Sequence, residues 1–172
     1  MDQHLLLPRR GADAAPHGEQ SDQLLGLIHW LSAASRQLRR RLADVAASCE
    51  LSDGELLVIW LCHGAGNVQV DLAAAIGVSP AQMSGLVERL GQRGLVAMNR
   101  SVRDRRRQVW RTSAAGEALL GQVAAPLANL TAALGRQVDS AEQALAQSLC
   151  QRLASAAAQQ AQDEQRCGKE AA

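Results

Sequence analysis

Asp71-Leu72-Ala73-Ala74-Ala75-Ile76-Gly77-Val78-Ser79-Pro80-Ala81-Gln82-Met83-Ser84-Gly85-Leu86-Val87-Glu88-Arg89-Leu90 is the stretch on which the fold turns. Its first six residues predict a short helix that Gly77 ends. Ser79 is a strong N-cap, and Pro80 suits the first helical position, where no backbone amide is needed. Met83, Leu86, Val87 and Leu90 then recur at i, i+3, i+4 and i+7, so a second helix runs from about Pro80 to Gln92. Two short helices joined by a glycine-containing turn make a helix-turn-helix.

Downstream, Leu95–Met98 and Gln108–Trp110 are two apolar strand segments. Between them lies Asn99-Arg100-Ser101-Val102-Arg103-Asp104-Arg105-Arg106-Arg107, a hairpin with a basic tip, that is, a wing. Upstream, Ser52-Asp53-Gly54-Glu55 fits a capping box, opening a helix from Asp53 to about His63, and Val68 begins a very short strand. Leu24, Leu27, Ile28, Leu31, Leu38, Leu42 and Val45 stripe one long helix, about Asp22 to Ser48, with Arg36, Arg39, Arg40 and Arg41 beside the stripe. Ser113 caps a further helix striped by Leu119, Leu120, Val123, Leu127, Leu130 and Leu134, which Pro126 should kink or break. Ser140-Ala141-Glu142-Gln143 reads as the cap of a last helix carrying Leu145, Leu149 and Leu153.

The expected fold is therefore mainly α with a small β-hairpin wing (α+β). The expected organisation is a flexible arm at 1–20, a helix at 21–50, a winged helix-turn-helix lobe at 51–116, helices at 117–165 and a frayed tail at 166–172. Apolar stripes this long outrun what one small lobe can cover, so the flanking helices are expected to pair with a second copy.

Composition narrows the function. The chain has 172 residues, 47% of them hydrophobic, enough for one core without staples. Its 18 Lys and Arg against 17 Asp and Glu leave a formal net charge of only +1, so nucleic-acid binding requires local clustering. The wing provides it: Arg100, Arg103, Arg105, Arg106, Arg107 and Arg111 stand with one acid, Asp104. With aromatics at 2%, stacking modules for single strands are nearly excluded. Cys49, Cys62, Cys150 and Cys167 form no CxxC, so reduced thiols are expected rather than a disulfide framework or zinc knuckle. The Leu5–Leu7 run is too short for a signal-peptide core, and no apolar run approaches a membrane span. A soluble cytoplasmic protein without membrane contact is expected.

On the second helix of the tandem, Ala81, Gln82, Ser84, Gly85, Glu88 and Arg89 face outward, with Ser79 at its start. Small and polar residues there suit entry into a major groove of double-stranded DNA. Gln82 can pair with an adenine edge, and Arg89 can reach a guanine or a phosphate. Asp104 is placed to pin the wing through local salt bridges. A solvated helix face and a loop that binds an acidic protein are the plainer readings. The latter would make the chain an antirepressor-like interaction module. No pattern for a hydrolase nucleophile such as G-x-S-x-G is present, and no enzyme is expected.

Leu72-Ala73, Ser79, Leu86-Val87, Arg89-Leu90, Gly94-Leu95-Val96, Arg100, Asp104-Arg105-Arg106 and Gly116 resemble the MarR family of winged-helix transcriptional regulators. The resemblance covers about Leu56 to Leu120, and the Asp-x-Arg formed by Asp104 and Arg106 is its most specific element. It implies a triangular homodimer with interleaved N- and C-terminal helices, recognition helices in successive major grooves of a pseudo-palindrome and wings in the minor groove. It also implies regulation, most simply repression, answering to a small aromatic or acidic effector of unknown identity. For that effector His29, Trp30, Trp60, His63 and Trp110 are the candidate residues, although core packing is the more ordinary role of a Trp. Some relatives sense oxidants through Cys or bind zinc. Cys62-His63 could serve either, but no cluster supplies a ligand set, and no metal or cofactor is expected. Two departures stand out. Thr112-Ser113 replaces the usual Leu-Thr, weakening an apolar anchor, and Val68 stands where the helix before the turn usually has a Ser or Thr cap.

Overall fold

The computed structural model describes residues 19–100 and 108–170. The arm up to residue 18 and the wing tip at 101–107 lie outside the described residues. The elements are α1 (Glu19–Ala47), α2 (Asp53–Leu61), β1 (Asn67–Val68), α3 (Gln69–Ile76), α4 (Pro80–Gln92), β2 (Val96–Arg100), β3 (Gln108–Thr112), α5 (Ala114–Leu134) and α6 (Ser140–Glu170). The strands form an antiparallel sheet in the order β1-β3-β2. Across β3, Asn67 and Met98 both stand opposite Trp110. The architecture is a mainly helical winged helix-turn-helix with a small sheet.

The core lies where α2, α3, α4, β2 and α5 meet. Val58, Ile59, Leu72, Met83, Val87, Leu90 and Val123 are almost wholly buried there. Leu86 is only half-buried and packs at the edge. Between α3 and α4 the chain bends by 109°. Gly77 makes this turn by adopting a left-handed φ of 77° while its amide bonds the Ala73 carbonyl at 2.9 Å. A Cβ at this position would oppose that backbone conformation.

Several element ends differ from the sequence-based expectation, each for an identifiable reason. α2 stops at Leu61 because distant groups take its last carbonyls. Thr112 Oγ1 donates to Ile59 O (2.7 Å), Asn67 Nδ2 to Leu61 O (2.6 Å) and Thr112 N to Cys62 O (3.1 Å). Thr112 thus exchanges an apolar anchor for a hydrogen bond. α3 starts at Gln69, and Val68 contributes no side-chain cap. α6 is capped one residue earlier than its Ser suggests. Asp139 Oδ1 accepts from Glu142 N and Glu142 Oε2 from Asp139 N, both at 2.8 Å. α5 continues through Pro126. Pro126 cannot donate to the Gln122 carbonyl, but both residues are exposed, so that carbonyl is open to solvent.

The flanking helices present apolar side chains to solvent. On α1, Leu24, Ile28, Leu31 and Leu38 are exposed, Leu24 to 57%. On α6, Leu145, Leu149 and Leu153 are exposed, Leu145 to 60%. No single helix among the described residues is long and apolar enough to cross a membrane.

Candidate nucleic-acid interface

The buried stripe on α4 fixes its rotation. With Met83, Val87 and Leu90 in the core, Ala81, Gln82, Ser84, Glu88 and Arg89 are exposed and Gly85 is half-buried. The helix starts at a full capping box. Gln82 N donates to Ser79 Oγ at 3.2 Å, and Ser79 N donates to Gln82 Oε1 at 3.0 Å. The adenine edge would need that same Gln82 oxygen. Pro80 has no amide N–H, and Gln82 N and Met83 N are both bonded to Ser79, so the first turn leaves the Ala81 amide for a phosphate.

Arg89 lies over Gly85, where a Cβ would sit 3.6 Å from its Nη1. Its Nε is 3.6 Å from Glu55 Oε1 on α2, a loose pair with Arg89 60% exposed. Glu55 also closes the α2 capping box with Ser52. Burial alone would raise its carboxyl. The Ser52 amide and hydroxyl, with the Arg89 and Arg93 charges, outweigh that and hold it below the ordinary value.

At the far end of α4, Arg93 donates to Glu50 O at 2.9 Å and Cys49 O at 3.3 Å. Glu50 has a left-handed φ of 56°, so Arg93 clamps the strained link between α1 and α2. Arg39 Nε meets Asp53 Oδ2 at 2.6 Å from the other side. Arg93 does not stand out in the sequence, and Glu55 does so only through its capping box with Ser52, because the Arg93 contacts and the Arg89–Glu55 pair join residues at least 34 apart.

The wing rises from β2 and β3, whose pairing runs from Val96–Thr112 to Arg100–Gln108. Its root is fastened to α5. Ser113 Oγ caps Gly116 N and donates to Gly94 O, while Ser113 N bonds Leu95 O. Arg100 closes β2, whereas Arg103, Asp104, Arg105, Arg106 and Arg107 lie outside the described residues.

The proposed effector residues are spread over different elements. His29 and Trp30 on α1 touch edge-on, with ring centroids 5.3 Å apart. His29 Nε2 is buried without a hydrogen-bond partner. His63 Nδ1 lies 2.7 Å from Glu117 Oε1, tying the end of α2 to α5. Trp110 packs over Gly91. Ordinary core packing fails for Trp30 and Trp60, which are 44% and 61% exposed. Leu56, Val58 and Ile59 occupy the buried side of α2 and leave Trp60 outside. Cys62 is fully buried, and burial pushes its thiol up to about 11, far from a reactive thiolate. Among the described residues no group of three His, Cys, Asp or Glu side chains is placed to hold a metal.

The MarR family model matches residues 51–107, the segment that carries both helices of the tandem and the first strand of the wing. Several of the solved structures that share the fold are informative. BldR from Sulfolobus solfataricus, a transcriptional regulator, is 21% identical with a TM-score of 0.65, covering 79% of this chain and 98% of that one. CouR from Rhodococcus jostii RHA1, solved with p-coumaroyl-CoA, is 25% identical with a TM-score of 0.61, covering 76% and 91%. BpsR from Bordetella bronchiseptica, whose DNA binding is regulated by 6-hydroxynicotinic acid, is 21% identical with a TM-score of 0.58, covering 74% and 98%. No curated protein sequence matches the chain. Family model and fold coincide on the lobe that carries α4: residues 51–107 match the MarR family model, and the chain shares the fold of these regulators.

Proposed function

We propose that the chain is a sequence-specific regulator of transcription that binds double-stranded DNA as a homodimer, most simply as a repressor. The observation that carries this reading is the division of α4. One face is locked into the core, and the other offers small and polar side chains directly before a wing whose sequence is rich in arginine. α4 would enter the major groove with Ser79, Ala81, Gln82, Ser84, Gly85 and Arg89. Arg100, Arg103, Arg105, Arg106 and Arg107 would follow the backbone into the minor groove, with Asp104 pinning them.

The uncovered leucines of α1 and α6 support a second copy, since apolar faces of this extent are rare on monomers. A two-fold dimer would place two α4 helices about 34–36 Å apart, one turn of duplex, on a pseudo-palindromic operator in the cytoplasm. CouR holds an aromatic thioester and BpsR answers to an aromatic acid. By analogy, an aromatic or acidic effector is the ligand to test here, with His29, Trp30, Trp60, His63 and Trp110 as the residues to probe.

The test is selection from a random duplex pool, followed by a salt titration on the enriched site. An inverted repeat, a steep fall of log affinity with log salt, and twice the 18.3 kDa chain mass by light scattering are expected. A monomer that enriches no duplex would refute the proposal.

A further inference from the structure

The exposed face of α4 carries one side chain whose orientation is set before any DNA arrives. Ser79 N donates to Gln82 Oε1 at 3.0 Å. A backbone N–H can be met only by the oxygen of a carboxamide, so this contact fixes which end of the amide faces the helix start. The oxygen is turned back along the chain, and the outer edge of the amide is Nε2 with its two N–H donors. Gln82 is otherwise exposed.

The major-groove edges answer differently to such a group. Adenine offers N7 as acceptor beside N6, a donor, so a glutamine makes a paired contact to adenine only by presenting oxygen and nitrogen together, and a donor alone gains one bond there against two on guanine. Guanine offers two acceptors, N7 and O6, while cytosine offers a donor, N4. Resting on α4 as the reading helix, we propose that Gln82 reads DNA as a donor only. It then selects guanine over adenine at one base pair of each half-site. A paired adenine contact would require the amide to turn outward and give up the Ser79 bond. That bond also caps the helix, so reading and capping are coupled in one residue.

The full-length chain is used to select from a random duplex pool, and affinities are measured over single-base variants of the enriched site. The wild type should show guanine at one position per half-site, preferred over adenine by about tenfold. Gln82→Ala should bring that preference close to unity and lower the melting temperature by removing the side-chain half of the capping box. Gln82→Glu is the decisive variant. Its carboxylate can still accept from Ser79 N, so the melt should be kept, while the donor is gone. Its preference should move from guanine to cytosine, whose N4 group donates. A wild type preferring adenine where Gln82→Ala stops discriminating would overturn the assignment. So would a Gln82→Glu variant that keeps guanine, or an equal loss of affinity on every sequence, which marks a phosphate contact. If the wild type enriches no duplex, α4 is not a reading helix and both proposals fall together.

Discussion

Two glycines of one helix should respond to the same substitution with opposite signs. Gly116 and Gly121 both lie in α5. Alanine normally stabilises a helical glycine position by about 0.5–1 kcal/mol. At Gly121 nothing lies within 4 Å of the added Cβ, so Gly121→Ala should gain about that amount. At Gly116 the Cβ would collide with the Leu95 carbonyl oxygen and stand 2.7 Å from Thr112 Cγ2. Neither neighbour is free to withdraw. Leu95 O accepts from Ser113 N at 3.1 Å, and the Thr112 hydroxyl is held on Ile59 O at 2.7 Å. Overpacking of this kind costs about 1–3 kcal/mol, and a lost hydrogen bond adds about 1. After the propensity gain, Gly116→Ala should lose about 1–3 kcal/mol. Urea unfolding of both variants at one protein concentration measures this as displaced midpoints with an unchanged slope. If both midpoints moved upward, the close approach of α5 to the root of β2 would be wrong.

Thr112→Val keeps shape and removes the hydroxyl, leaving the Ile59 carbonyl without that donor. A loss of about 1–2 kcal/mol is expected in the same unfolding assay. A gain would mean that an apolar anchor suits this position better. Glu55→Gln keeps the capping box and removes the charge. Because folding holds the Glu55 carboxyl below its ordinary value, its contribution is present above that value and lost as pH falls through the folded one. The stability gap between wild type and variant, under about 1 kcal/mol for so loose a pair, should be flat from pH 6 to 8 and close below about pH 4. A gap that widens in acid would contradict the sign. In the wing, Arg106→Ala should weaken operator binding more than Arg103→Ala, since Arg106 belongs to the Asp-x-Arg element. The first should cost a few kcal/mol and the second about one unit of salt slope, and equal losses would leave only bulk charge.

What was legible in the sequence was local. α4 runs from Pro80 to Gln92 as its cap and stripe indicate, because Ser79, Pro80 and the period of Met83, Val87 and Leu90 all act within one element. The S-x-x-Q at Ser79–Gln82 has the same form as the S-x-x-E at Ser52–Glu55, so the Gln82 cap was available to a reader of the first turn. The start of α6 offered two overlapping patterns one residue apart. Asp139 won over Ser140 because a carboxylate is the stronger acceptor at a helix start. What was illegible came from distant partners. The end of α2 is decided by Thr112 and Asn67, and the Arg89–Glu55 pair joins residues 34 apart. Trp60 looks like core in any apolar run. Only the packing of α2 reveals that it faces outward.

Among the described residues the links from the lobe to α1 and α5 are short and hydrogen-bonded, and this bears on how a signal could reach DNA. α5 leaves β3 with a single intervening residue, Ser113, whose hydroxyl and amide are both bonded to the root of β2. The link that follows α1 is held by Arg93 at the end of α4, and Arg39 of α1 is paired with Asp53 of α2. A displacement of α1 or α5 would therefore be expected to carry α4 with it instead of being absorbed in a linker. In the proposed dimer the separation of the two α4 helices must match one turn of duplex, about 34–36 Å. A shift of a few ångströms would take one helix out of its groove while the other stayed in place. Binding would then drop from two half-sites to one without any part of the lobe unfolding. Release of DNA by this route leaves the melting behaviour of the lobe intact, whereas release by local unfolding would lower it.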